Sequence, residues 1–274
     1  FNDNISQVLV NHGFYETISN SISSPKNNDL ISESNAVKII NPMGIELSEL
    51  RNSLIPSCLE AIKFNSNRQS KILKTFEFGK IYKPVKDDFK ESKLLSISLT
   101  GNVFEDNWNV KKQPDTFFYF KGIIEMMLSN KINKWEEKFV ENKTFQEGLE
   151  YMINDEKIFE FGYLSKRLLD FYSIKETVIY GQLHLDLVSK YLTDKVNFKN
   201  IGKFPMVKRD FSLLVNQNVF FKDIKLLAES TEKNILKKVK LFDVYAGEEL
   251  PENKKSYAVS FYFQDKNKTL TDHY

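Results

Sequence analysis

Apolar and polar positions along this 274-residue chain change period several times. Ile5, Val8 and Leu9 share a helical face, and Gly13 is placed to end that helix. Phe14 to Ile22 reads as a strand, followed by a polar loop from Ser23-Ser24-Pro25 through Asn28. The short apolar run Val37 to Ile40 stops at the turn signal Asn41-Pro42-Met43-Gly44. Pro56 suits the first position of a helix that carries Cys58, Leu59 and Ile62 on one face. Leu73 to Tyr82 reads as a strand with Phe76 and Phe78 on either side of Glu77, and Leu95, Ile97 and Leu99 alternate until Gly101-Asn102. Asp115 caps a helix reaching about Ser129, whose Phe117, Phe120 and Ile124 face is read as core rather than interface. A hairpin across Asn154-Asp155-Glu156, a strand from Ile158 to Tyr163, a short helix near Ser165, a strand from Val178 to Leu185 and a short helix to Tyr191 follow. Strands interrupted irregularly by helices predict an α+β domain on a mostly antiparallel sheet.

The polar stretch Lys195 to Lys203 is the linker candidate, dividing the chain into domains 1–198 and 199–274. Beyond it, Phe211, Leu213 and Val215 alternate in a strand, and Phe221, Ile224, Leu227 and Ala228 keep helical spacing. Lys238 to Tyr245 is a second strand and Gly247 to Lys254 a turn. A third strand carries Tyr257, Val259, Phe261 and Phe263 on one side. This is the ferredoxin-like βαββαβ order truncated after its third strand, with Thr269-Leu270-Thr271-Asp272 reading as the N-cap of a further helix. An open sheet edge and lower stability than the first domain are expected of it.

Composition narrows the class. A hydrophobic content of 41% with 28% charged residues is that of a globular protein with real cores. The single cysteine, Cys58, excludes an intrachain disulfide and suits a reducing cytoplasm. No apolar run reaches the roughly 18 residues of a membrane span. The net charge is only +2, but 14 basic residues face 10 acidic ones from Lys199 onward, so the basic surplus sits in the last domain.

Candidate chemistry is sparse. His12, His184 and His273 are far apart and have no ligand spacing with Cys58, so no metal site is signalled. His184 and Cys58 read as structural residues, the latter a small core side chain. No glycine-rich phosphate loop occurs, and no carboxylate pair is marked as catalytic. Nucleic-acid binding by the last domain remains. With helices on one side of its sheet, the other side takes Ser212, Ser260, Tyr262 and Gln264. Tyr262 is placed to stack on a base, with Lys203, Lys208, Arg209, Lys254 and Lys255 near the rim for phosphates. The plainer reading is an ordinary strand tyrosine among solvated lysines.

Several of these segments resemble one family. Lys203-Phe204-Pro205-Met206-Val207-Lys208-Arg209-Asp210, Leu241-Phe242-Asp243-Val244-Tyr245 and Gln264-Asp265 with Thr269 to Asp272 are similar to the ferredoxin-fold anticodon-binding domain that closes the β subunit of bacterial phenylalanine–tRNA ligase. Upstream, Gly13 to Ser21, Asn41-Pro42, Leu47 to Pro56, Phe76 to Tyr82 and Phe118 to Glu125 resemble, in order, the catalytic-like domain of the same subunit. The resemblance implies a class II synthetase-like antiparallel sheet domain followed by the ferredoxin-like one. It implies a heterotetramer in which an α subunit attaches phenylalanine to tRNA(Phe) with ATP and Mg²⁺. The partners are then that α subunit, the tRNA and a second αβ pair. This segment itself has no catalytic residue and no cofactor of its own in that scheme. The residues agree: the strand Gly79 to Tyr82 runs into Lys83-Pro84-Val85, where Pro84 is expected to end it, and no ATP-orienting Arg follows. For Arg51 a solvent or interface role is expected rather than a nucleotide. A stand-alone ligase and an independent RNA-binding or scaffold protein remain as alternatives.

Overall fold

The computed structural model describes residues 1–31, 36–68, 72–86, 88–104, 108–109, 115–129, 131–132, 134–193, 201–247 and 250–271. Two compact units form, Phe1–Lys195 and Val196–Tyr274. Most of the expected linker, 195–200, lies outside the described residues.

In the first unit, α1 (Asn2–Asn11) buries Ile5 and Leu9. It gives way at Gly13, which holds φ of +81°, a backbone state glycine adopts without a Cβ penalty. The expected strand from Phe14 to Ile22 is only β1 (Tyr15–Glu16) and β2 (Ile22–Ser23). Between them Ser19 and Asn20 turn to bond the Glu77 and Arg51 side chains instead of a sheet neighbour. The polar stretch after it is not a loop but helix α2 (Pro25–Ile31), begun by a proline and tied down by buried Asn28, which donates to Glu49. A 3₁₀ turn (Ile45–Leu47) leads to β3 (Glu49–Leu50), and α3 (Ile55–Ser66) starts with Pro56 in its first turn.

Next come the long hairpin β4 (Leu73–Val85) and β5 (Asp88–Thr100), then α4 (Thr116–Ser129). The Asp115 carboxylate accepts from the Phe117 and Phe118 amides at the start of α4, as its sequence predicts. Strand β4 runs through Pro84 instead of ending there. The Tyr82 amide points away from β5, to the Arg51 carbonyl at 2.9 Å. Two residues on, Pro84 therefore faces the same outer side, where its missing N–H removes no bond to β5.

Strands β6 (Glu136–Val140), β7 (Phe145–Ile153) and β8 (Glu156–Leu164), helix α5 (Lys166–Tyr172), β9 (Val178–His184) and helix α6 (Leu185–Val188) complete the unit. The β7–β8 turn places Asn154 and Asp155 at φ of 48° and 63°, the pair of left-handed residues a tight hairpin needs. The sheet order is β1-β4-β5-β9-β8-β7-β6. Only the β1–β4 pairing is parallel. One face carries α1 and α4 over Phe76, Ile97, Phe159 and Phe161; Phe120 and Ile124 of α4 are buried there. The other face carries α3 and α5 over Tyr180, Phe145 and Val178. Burial pushes the Cys58 thiol up to about 12.

The second unit contains β10 (Val207–Asn216), α7 (Phe221–Thr231), β11 (Leu236–Tyr245) and β12 (Lys254–Phe263). The sheet order is β10-β12-β11, with every pairing antiparallel. Helix α7 lays Phe221, Ile224 and Ala228 over Val239, Tyr257 and Val259. Leu227, expected on that face, is 68% exposed, and Phe211 at the sheet margin is 52% exposed. Residues 269–271 are not helical, and Asp272 of the expected N-cap lies outside the described residues.

Candidate nucleic-acid interface

Odd-numbered residues of β12, from Tyr257 to Phe261, face α7, so even-numbered ones face the opposite, helix-free side. Tyr262 is therefore on the open side. The register places Lys208 of β10 and Lys238 of β11 directly opposite it on its two flanks. The Lys238 ammonium lies 5.9 Å from the Tyr262 ring centre, and the Lys208 ammonium lies 5.4 Å from the ring of Phe242. Phe242 is 51% exposed. It falls at an irregularity in the β11 register between Leu241 and Asp243, which turns an extra side chain onto the open face. One step along, Lys240 pairs with Ser260. Two aromatic rings and three lysines thus share one exposed surface.

The six residues expected from sequence do not form one cluster. Lys208 and Tyr262 come together. Lys203 precedes β10, in a segment held to the same end by Gln264, which donates to the Phe204 carbonyl at 2.7 Å. Lys254 is on the open side but eight residues along β12, roughly 27 Å from Tyr262 at strand rise. Arg209, opposite Phe261, and Lys255, opposite Val215, lie on the helix side. Lys255 donates to the Gln217 carbonyl at 2.6 Å and stands 4.9 Å from the Tyr257 ring. Conversely, Lys238, Lys240 and Phe242 were missed. Their alternation is visible along β11, but only the pairing register and the bulge reveal that they adjoin Tyr262.

Asp210 moderates the surface next to Tyr262. Asp210 accepts from Lys208 at 2.8 Å. The hydrogen bond from Lys208 holds the Asp210 carboxyl below its ordinary range, and Asp210 raises Lys208 in turn. Lysine heads beside exposed rings can grip phosphates while bases stack, a combination suited to single-stranded nucleic acid.

In the first unit the polar centre is the Arg51–Glu77 ion pair, 2.8 Å long. Arg51 is 5% exposed, so the expected solvent or interface role is corrected: it is a buried internal partner. His184, at the end of β9, is held below its ordinary pKa by burial. Among the described residues no group of three or more His, Cys, Asp or Glu side chains is disposed to hold a metal ion, and no helix is long and apolar enough to cross a membrane.

Residues 1–185 match the family model for the phenylalanyl tRNA synthetase beta chain CLM domain. The chain belongs to that family. Residues 202–274 match the ferredoxin-fold anticodon binding domain. The phenylalanine–tRNA ligase beta subunit of Bacteroides thetaiotaomicron is 33% identical over 285 residues, covering 98% of this chain and 35% of that one. The beta subunit of Clostridium tetani is 34% identical over 286 residues, covering 98% and 34%. This chain spans about a third of the length of these relatives. A pyrrolysyl tRNA synthetase from Desulfitobacterium hafniense superposes with a TM-score of 0.53 at 13% identity, over 69% of this chain and 66% of that one, which is a likeness of fold.

Proposed function

We propose that this chain is the part of a phenylalanine–tRNA ligase beta subunit that holds tRNA(Phe) and supports assembly, while a separate α subunit attaches phenylalanine with ATP and Mg²⁺. The observation that carries the tRNA part is Tyr262, flanked in register by Lys208 and Lys238 on the helix-free face of the anticodon-binding-type sheet. Unpaired bases stack on the rings and backbone phosphates meet the lysines. The first unit acts as a noncatalytic relative of the synthetase fold: Arg51, the deeply buried arginine between β3 and α3, is held in place through its Nε and Nη1 by the Lys80 carbonyl and Glu77. The assembly proposed is two αβ pairs in the cytoplasm.

Reconstitution tests this. The complete beta subunit containing this segment is mixed with the α subunit, and phenylalanine attachment is assayed with each alone and both together. Activity only in the mixture is expected. Tyr262→Ala should weaken tRNA binding by about 1–3 kcal/mol, the worth of one stacked base. Activity from the beta subunit alone would overturn the noncatalytic reading, and RNA binding with no α association would point to an independent RNA-binding protein.

A further inference from the structure

Arg51 has one corner that the protein leaves unmatched. Its side chain is 6% exposed. Nε donates to the Lys80 carbonyl at 2.8 Å. Nη1 donates to Glu77 Oε1 at 2.8 Å, Ser19 Oγ at 2.7 Å and the Asn20 carbonyl at 3.4 Å. Nη2 carries two further N–H groups and donates to no protein atom among the described residues. Nη2 is thus open to an acceptor from water or a ligand in the adjoining cleft.

Nη2 lies against Gly79, where a Cβ would come within 2.6 Å of it. The absence of a side chain at Gly79 is what lets the guanidinium reach this place. Arg51 and Gly79 both line a cleft of about 330 Å³, at the small end of the range for ligand sites. Lys80 and Lys93 also line it, and Glu77 is the single acid. Glu77 is already bonded to Arg51 and to the Ser19 hydroxyl, which lies within reach of both its oxygens, and Lys80 pairs with Glu91 at 2.7 Å. Asp186 also stands by the cleft, accepting from the Lys93 amide at 2.7 Å, so the free Arg51 corner is the donor a ligand meets. Ile18, Leu94 and Leu185 supply apolar wall.

We propose that this cleft binds a small organic oxyanion, its carboxylate or phosphate head on Arg51 Nη2 and its apolar body against Ile18, Leu94 and Leu185. A guanidinium edge and a nearby ammonium are the donors that such a head requires. Neither residue belongs to the open face of the second unit, so this site stands or falls apart from the RNA reading.

The test titrates the chain with butyrate, butyl phosphate, n-butanol and butylammonium while following the Arg51 side-chain N–H signals by NMR. Saturable shifts from one or both anions are expected at concentrations on the order of 10 mM, with none from the alcohol or the ammonium ion. The tighter of the two anions identifies the head group. Lys93→Glu and Ile18→Glu change exposed side chains, so the fold survives them; each should weaken anion binding at least about threefold by placing like charge at the rim. No saturable shift from either anion would overturn the proposal. So would equal binding of butanol, preference for butylammonium, or affinity unchanged in both variants.

Discussion

The Arg51 guanidinium and the Glu77 carboxylate lie 2.8 Å apart with only 6% of each side chain exposed. Their bond ties the segment before α3 to the middle of β4. Ser19, whose single hydroxyl proton is shared between the two Glu77 oxygens and which accepts from Arg51, adds the segment after β1. Removing one partner leaves an uncompensated buried charge. Arg51→Ala or Glu77→Gln should therefore destabilise the first unit by about 3–5 kcal/mol, and Arg51→Met with Glu77→Leu should recover much of the loss. Urea unfolding followed by a probe in the first unit measures this; a single-variant cost below about 1 kcal/mol would mean that water solvates the remaining charge.

Cys58 gives a dependence on pH. Its thiol is raised from 9.0 to about 12, chiefly by burial. The folded chain thus keeps a proton that the unfolded chain gives up near pH 9. The stability linked to this group is whole below pH 9 and declines as pH rises toward 12. In the folded protein the thiolate is suppressed and covered, so alkylation at pH 8 should proceed no faster than unfolding. Mass spectrometry of iodoacetamide-treated protein, with and without urea, checks it: rapid native labelling would contradict the burial of α3 on the sheet.

Asp210 and Lys208 predict opposite effects on RNA. Lys208→Ala should reduce the salt dependence of binding by about 0.7 to 0.9 in slope, the share of one phosphate contact. Asp210→Asn frees Lys208 from its 2.8 Å partner and should tighten binding. Lys255→Ala, on the helix side and committed to Gln217, should leave the slope unchanged. Filter binding across a salt series separates the three. An effect of Lys255 as large as that of Lys208 would move the interface to the other face.

Hydrogen exchange should divide the two units. The second unit rests on buried Val239, Tyr257 and Val259, whereas β5 and β9 lie in the middle of a sheet covered on both faces. Amides of β10, β11 and β12 should exchange before those of β5 and β9. Equal protection would show that additional contacts cover the small sheet.

The sequence by itself determined most of the long elements and much of their faces, with Leu227 and Phe211 as exceptions. Strict alternation in β12, the Asp115 cap of α4, Pro56 at the start of α3 and the Asn154-Asp155 turn are local signals, fixed by backbone preference and side-chain period. The same alternation placed Tyr262 on the helix-free side. The ordered motifs carried the family resemblance. Tertiary structure decided what depends on partners distant in the chain. Ser19 leaves the strand pattern because Glu77 and Arg51 recruit it from 58 and 32 positions away. Pro84 stays in a strand because its outward side has no partner to lose. Lys238 and Phe242 join Tyr262 because of a pairing register and a bulge, while Arg209 and Lys255 are turned away by one residue of parity. Strand register and ion pairing are properties of the packed sheet, where a shift of one position moves a side chain to the opposite face.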